Sequence, residues 1–245
     1  MLKVTVFKDE RTLARALATQ IAATLNETPD LVLGLPTGRT PVRLYHDLGT
    51  LHADLSRATT FNLDEFLGIG PDHPGSYRAF MAHHLFSRVN IAPERIHVLN
   101  GAAPDPEGEC GRYERAVAGA GGIGLQLLGI GTNGHIGFNE PARELAARTH
   151  RVVLKESTRR SNAALFGGDL SLVPREGLSM GMATILQARR IVLMATGKSK
   201  ARSVELAVRG PITTKLPASF LQLHPAVELM LDEAAAGLLG EHATF

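Results

Sequence analysis

Tryptophan is absent from this 245-residue chain, only 5% of its residues are aromatic, and it holds a single cysteine, Cys110. One thiol closes no internal disulfide and supplies no cysteine cluster for a metal, so the composition fits a reducing compartment. Charge of one sign is lacking too: 26 Lys and Arg against 24 Asp and Glu leave a formal +2. That balance argues against nucleic-acid binding or a polybasic membrane patch, although the pI of 8.9 leans basic. No run approaches the roughly 18 consecutive apolar residues of a membrane span, and the opening MLKVTVFKDERTLARAL lacks a signal peptide's apolar stretch and cleavage site. A soluble, cytoplasmic protein is expected. What is present, 44% hydrophobic and 20% charged residues, suffices for a full core and is too apolar for disorder.

Strand and helix patterns alternate. Residues 2–7, 31–35, 59–63, 96–99, 125–130, 152–154, 191–195 and 227–231 read as strands, several as the continuous apolar runs of strands buried on both faces. Between them, helices are predicted from Asp9 or Glu10 through Leu13, Leu17, Ile21 and Leu25, and over 42–48, 76–89, 106–117, 158–166, 199–209 and 233–239. The pattern predicts an α/β fold: one domain over 1–245, with a mostly parallel sheet and helices on both faces. In such sheets ligands bind beyond the carboxyl ends of the strands. Three clusters fall there.

The first, Gly34-Leu35-Pro36-Thr37-Gly38-Arg39-Thr40-Pro41, is a strand–turn–helix. Converging backbone N–H groups and a helix N-terminus make an anion cradle of Thr37, Gly38, Arg39 and Thr40. It is neither a Walker loop nor GxGxxG, and a plain βα turn that uses Gly and Thr for geometry remains the alternative. The second cluster, Asn62-Leu63-Asp64-Glu65-Phe66, puts two carboxylates directly after a buried strand, as a general base or as a helix cap. The third runs from Gly129 to Pro141 (GIGTNGHIGFNEP), where four glycines surround His135. Such glycine density marks close backbone approach to a ligand, and Glu140 is within reach to orient and polarise the imidazole. Metal binding is not expected: His83 and His84 are adjacent on a helix and should not face each other, His73, His97 and His224 are scattered, and HExxH is missing. An anion cradle, a base and a His–carboxylate pair suggest acid–base chemistry on a small phosphorylated metabolite. From the residues alone, a sugar-phosphate isomerase and a hydrolase are both open.

In the runs LVLGLPTGRTPVRLYHDL, TTFNLDEFLGI, HPGSYRAFM, LQLLGIGTNGHIGFNEP and ATGKSKA, reaching from the first strand to near residue 232, the chain resembles the glucosamine-6-phosphate deaminases. The related 6-phosphogluconolactonases share a similar Gly-His loop without the FNEP continuation. The resemblance implies a modified Rossmann-type sheet without dinucleotide, no cofactor, and conversion of glucosamine 6-phosphate and water to fructose 6-phosphate and ammonia. It implies that Asp64 is the base that moves a proton between C2 and C1. It implies that His135 opens the ring with Glu140 and Asn133 beside it. Thr37 to Thr40 and Lys200 then bind phosphate, Gly129 lines the substrate site, and Tyr77 belongs to a mobile lid.

This sequence departs from that pattern in places. Many members carry Asp where Asn133 stands, so Glu140 must supply the charge. A family arginine is replaced by Ala164, and the second Gly of TGGTP is Arg39, so Arg39 or Arg160 is expected to supply the missing guanidinium. Longer allosteric relatives carry Arg and Lys where His150 and Val152 stand, and an extended C-terminus. No activation by N-acetylglucosamine 6-phosphate, and a monomer or small homo-oligomer, are therefore expected. Galactosamine-6-phosphate deaminase/isomerase, 6-phosphogluconolactonase and a non-catalytic sugar-phosphate sensor are the competing readings; no helix-turn-helix segment accompanies the chain to support the last.

Overall fold

In the computed structural model, which describes residues 2–240, the eight expected segments form strands and two further strands join them. Residue 1 and residues 241–245 of the expected domain lie outside the described residues. The strands are β1 (Lys3–Phe7), β2 (Val32–Leu35), β3 (Thr59–Asn62), β4 (Asp64–Phe66), β5 (Ile96–His97), β6 (Leu125–Leu128), β7 (His150–Val153), β8 (Glu176–Ser179), β9 (Arg190–Ala195) and β10 (Val227–Asp232). Seven of them form one sheet in the order β1-β10-β9-β6-β2-β3-β5, parallel throughout. The chain runs outward from β2 to β5, then returns to the other side of β2 at β6. That reversal puts a crevice at the carboxyl ends of β2 and β6, where open α/β sheets bind ligands.

The helices are α1 (Glu10–Glu27), α2 (Val42–Thr50), α3 (Tyr77–His84), α4 (Pro106–Gly119), α5 (Glu156–Asn162), α6 (Met182–Leu186), α7 (Ala201–Arg209) and α8 (Glu233–Ala236). Because successive strand side chains point to opposite faces, each apolar strand feeds two cores. On one face Leu33, Leu127, Val192 and Met230 pack against Leu13, Leu17 and Ile21 of α1 and Leu44 and Leu48 of α2. On the other, Phe61, Leu128, Leu193 and Leu229 meet Tyr113 of α4, Ile185 of α6 and Val204 of α7. The α1 stripe is the one expected, and Asp9 caps that helix by accepting from Thr12 N at 2.8 Å.

Four expectations are corrected. The helix over 76–89 stops at His84, because Leu85 leaves helical geometry (φ −125°) to bury its side chain, and a 3-10 turn, Phe86–Arg88, follows. The helix over 158–166 starts at Glu156 and ends at Asn162, with a 3-10 turn to Phe166 closed by left-handed Gly167. The strand over 125–130 ends at Leu128, releasing Gly129 into the loop. Finally, β4, β8 and β7 form a separate antiparallel sheet, with β4 and β8 unanticipated. The β8 sequence, Glu-Gly-Leu-Ser, has no apolar run to announce it. Its Gly177 is there for packing, since a Cβ would come within 2.7 Å of the Phe138 ring.

Candidate active site

The ends of β2, β3, β6 and β9 each deliver one part of the site. After β2, Tyr45 of α2 donates its hydroxyl proton to the Pro36 carbonyl and fixes the turn. Gly38 takes φ +94°, a conformation open to glycine, and a Cβ there or at Gly129 would meet nothing within 4 Å. Both glycines therefore border open space. The α2 N-terminus has no side-chain cap, which leaves backbone N–H groups there for an anion, whereas α7 continues a 3-10 turn, Lys198–Lys200, and its first N–H, from Ala201, is bonded to Lys198 O. Lys200, half-buried at the start of α7, has its pKa lowered by desolvation and then by the charge of Arg39. Two cations thus share one region, an arrangement a dianion relieves. Arg160 pairs with Glu156 at 2.5 Å, both side chains exposed. Of the two expected substitutes for an arginine at Ala164, Arg39 alone faces Lys200.

After β3, the two carboxylates divide the alternatives between them. Glu65 is the cap: it accepts from Phe66 N and Tyr77 N at 2.8 Å and from Arg78 N at 2.9 Å, which anchors the start of α3. Asp64, on the opposite face of β4, is buried, and desolvation together with the Glu65 charge pushes its carboxyl up to about 8. A carboxyl so placed is a strong base once ionised. Tyr77 lies beside it, its phenol held neutral by burial and by the Asp64 charge, donating to Asn162 Oδ1 at 3.0 Å and facing Thr37.

After β6, the glycine loop folds back on itself. Gly131 N donates to His135 O at 2.9 Å, and a Cβ at Gly131 would fall 2.3 Å from the His135 ring, so glycine there lets the imidazole lie against the backbone. Asn139 pins the loop to the end of β8, donating to Met180 O at 2.8 Å. A Cβ at Gly137 (φ +54°) would stand 3.5 Å from Asp64 Oδ2, so this loop and the Asp64 carboxylate are neighbours.

The histidine's partners differ from expectation in order. His135 Nδ1 lies 2.7 Å from Asn133 Oδ1, Asn133 Nδ2 donates to Glu140 Oε2 at 2.8 Å, and Glu140 Oε2 is 3.6 Å from Nδ1. The amide is therefore the direct partner, and the charge stands one step behind it. Because a carboxylate fixes the Asn133 amide with its oxygen towards the ring, Nδ1 carries the proton and Nε2 is left for chemistry. Burial acts to raise the Glu140 pKa, but the nearby His135, with hydrogen bonds from Thr158 and Asn133, outweighs it and holds the carboxyl at about 2. Asn139, Asn162 and Thr158 were not singled out from sequence as working parts of the site; of these, only the Asn139 position, inside FNEP, carried a signal.

His83 and His84 do touch, edge to face at 4.7 Å, contrary to expectation. Among the described residues, however, no three His, Cys, Asp or Glu side chains gather to hold a metal ion.

Residues 8–230 match the family of glucosamine-6-phosphate isomerases and 6-phosphogluconolactonase. The chain belongs to this family. A glucosamine-6-phosphate deaminase of Rhodopirellula baltica is 48% identical, with 99% of this chain and 98% of the relative covered. Glucosamine-6-phosphate deaminase 2 of Bacillus subtilis is 45% identical over 96% of each chain. A solved monomeric glucosamine-6-phosphate deaminase superposes with a TM-score of 0.93 at 43% identity, covering 96% of this chain and 99% of its own. The 6-phosphogluconolactonase of Thermotoga maritima shares the fold, with a TM-score of 0.75 at 19% identity. Within the family, therefore, the deaminase branch is the one this chain follows in sequence as well as in fold.

Proposed function

We propose that this chain is a glucosamine-6-phosphate deaminase, converting glucosamine 6-phosphate and water to fructose 6-phosphate and ammonium. The observation that carries this reading is the approach, beyond strand ends on either side of β2, of a desolvated carboxyl, Asp64, to the loop of a histidine whose Nδ1 is committed to Asn133. Two distinct proton carriers can then address two ends of one sugar.

The phosphate sits among Thr37, Gly38, Arg39, Thr40 and Lys200 at the uncapped N-terminus of α2, with the sugar over Gly129. His135 Nε2 takes the C1 hydroxyl proton and passes it to the ring oxygen as the C1–O bond of the ring breaks, which frees the aldehyde. The positive imidazole formed on the way is stabilised by Glu140 through Asn133. The C2 ammonium then stands beside Asp64 and favours its ionised form. Asp64 removes the C2 proton while a proton from the ammonium goes to O1, giving an enolamine. The same carboxyl returns its proton to C1, which leaves an iminium at C2. Water adds there and ammonium departs from the ketone. Neither isomerisation nor hydrolysis transfers electrons to an acceptor, so the reaction calls for no redox cofactor.

The protein works as a cytoplasmic monomer or small oligomer on this small molecule, without nucleic acid or membrane. The resemblance to a monomeric deaminase supports the first part, and no helix among the described residues is long and apolar enough to cross a membrane. Ammonia release is the test, measured on glucosamine 6-phosphate, galactosamine 6-phosphate and 6-phosphogluconolactone (the last by acid release), with wild type and Asp64→Asn. Turnover of the first that collapses in the variant is expected. Turnover of only one of the others would move the substrate, and silence on all three would leave a sensor.

A further inference from the structure

The Thr158 side chain has no place in the chemistry above, yet it is buried at 3% exposure and aimed at the catalytic group. It lies on the first turn of α5, and its hydroxyl donates to Glu140 Oε1. The other carboxylate oxygen, Oε2, takes the Asn133 amide at 2.8 Å. Each oxygen of Glu140 is thereby assigned a single donor: α5 holds one, and the glycine loop holds the other. We propose that Thr158 is a positioning residue for ring opening, its hydroxyl fixing the Glu140 carboxylate so that Asn133 and, through it, His135 adopt one orientation.

The geometry gives this role a specific mechanism. A carboxylate free to turn about its last torsion would offer Asn133 either oxygen, or neither. The amide would then be free to flip, and His135 would lose the acceptor that keeps the proton on Nδ1. Anchoring Oε1 from α5 removes that freedom. The hydrogen bond also runs between segments far apart in sequence, so it reports whether α5 is seated. The same helix, one turn later, presents Asn162 to Tyr77 at 3.0 Å. Seating α5 therefore sets the histidine relay at one end and the tyrosine beside Asp64 at the other.

This inference rests on the deaminase reading, and two kinds of readout separate the two. Thr158→Val keeps the shape and removes the hydroxyl; Thr158→Ser keeps the hydroxyl. Loss of a hydrogen bond to a charged group predicts a fall in kcat of about tenfold or more for the valine variant. KM for glucosamine 6-phosphate should stay within about twofold, and serine should restore most of the rate. Binding of 2-amino-2-deoxyglucitol 6-phosphate, an open-chain analogue with no ring to open, should be unchanged in both. Long-range proton–nitrogen spectra of the unliganded protein, with the His135 signals assigned by their loss in His135→Gln, should show the Nδ1–H form in wild type. They should show mixed tautomers in the valine variant.

A valine variant with unaltered kcat and unaltered tautomer overturns the proposal. So does one in which analogue binding falls as far as kcat and serine fails to restore either, since that is the mark of a structural role. If wild type proves inert on glucosamine 6-phosphate, the deaminase reading falls, while a tautomer change confined to the valine variant still upholds the positioning.

Discussion

Replacing Asp64 by Asn should remove activity and at the same time stabilise the protein increasingly as pH rises. In the folded chain the Asp64 carboxyl is pushed up to about 8 from an ordinary 3.8 by desolvation and by Glu65. Between those values the folded state holds a proton that the unfolded state has released. Stability therefore falls as pH rises, by up to about 1.4 kcal/mol per unit from this group alone. From pH 5 to pH 7 the wild type should lose roughly 2 kcal/mol more than Asp64→Asn, a large share of a typical folding free energy. Above pH 8 the difference should level off. Urea unfolding at half-unit pH steps measures it. Groups other than Asp64 titrate in both proteins, so most of their contribution cancels in the difference. Parallel stability curves for the two proteins between pH 5 and 8 would show that Asp64 is not protonated in the folded state, and would refute the assignment of a desolvated base.

Other consequences can be checked on the same preparations. Arg39→Ala should raise KM for the phosphorylated substrate about tenfold or more with kcat retained, whereas Arg160→Ala, which breaks only an exposed pair with Glu156, should leave both unchanged in steady-state assays. His135→Gln should lower kcat by about a hundredfold or more, as expected for loss of a general acid–base, while an open-chain analogue binds as before by calorimetry. N-acetylglucosamine 6-phosphate should leave rate-against-substrate curves hyperbolic and unshifted. Arg148 and Arg151, which flank His150, are already engaged by Glu114 and Glu176.

The parallel sheet was legible because its strands are nearly continuous apolar runs and α1 keeps a four-residue spacing. Both signals are local in the chain. The second sheet was hidden because β4 and β8 owe their conformation to each other: Asp64 opposes Ser179, 115 positions further along the chain, and neither segment alternates visibly. The site was readable where chemistry left a local mark, in the glycines around His135 and in the acidic pair after β3. What could not be read was the division of labour. Asp64 and Glu65 look alike in sequence, and only the position of the α3 N-terminus decides which is tied up by N–H donors. Thr158 was invisible for a similar reason, since its partner Glu140 lies on a different element.

A single residue, Leu63, joins the end of β3 to the start of β4. One strand belongs to the parallel sheet and the other to the antiparallel one, so this junction has no slack. Inserting or deleting one residue there would turn β4 over, swapping the faces on which Asp64 and Glu65 emerge. The base would then point at α3 and the helix anchor at the sugar. The register of this one junction therefore decides which carboxylate meets the sugar, and exchange of side chains at fixed length is the only change it can absorb without trading those roles.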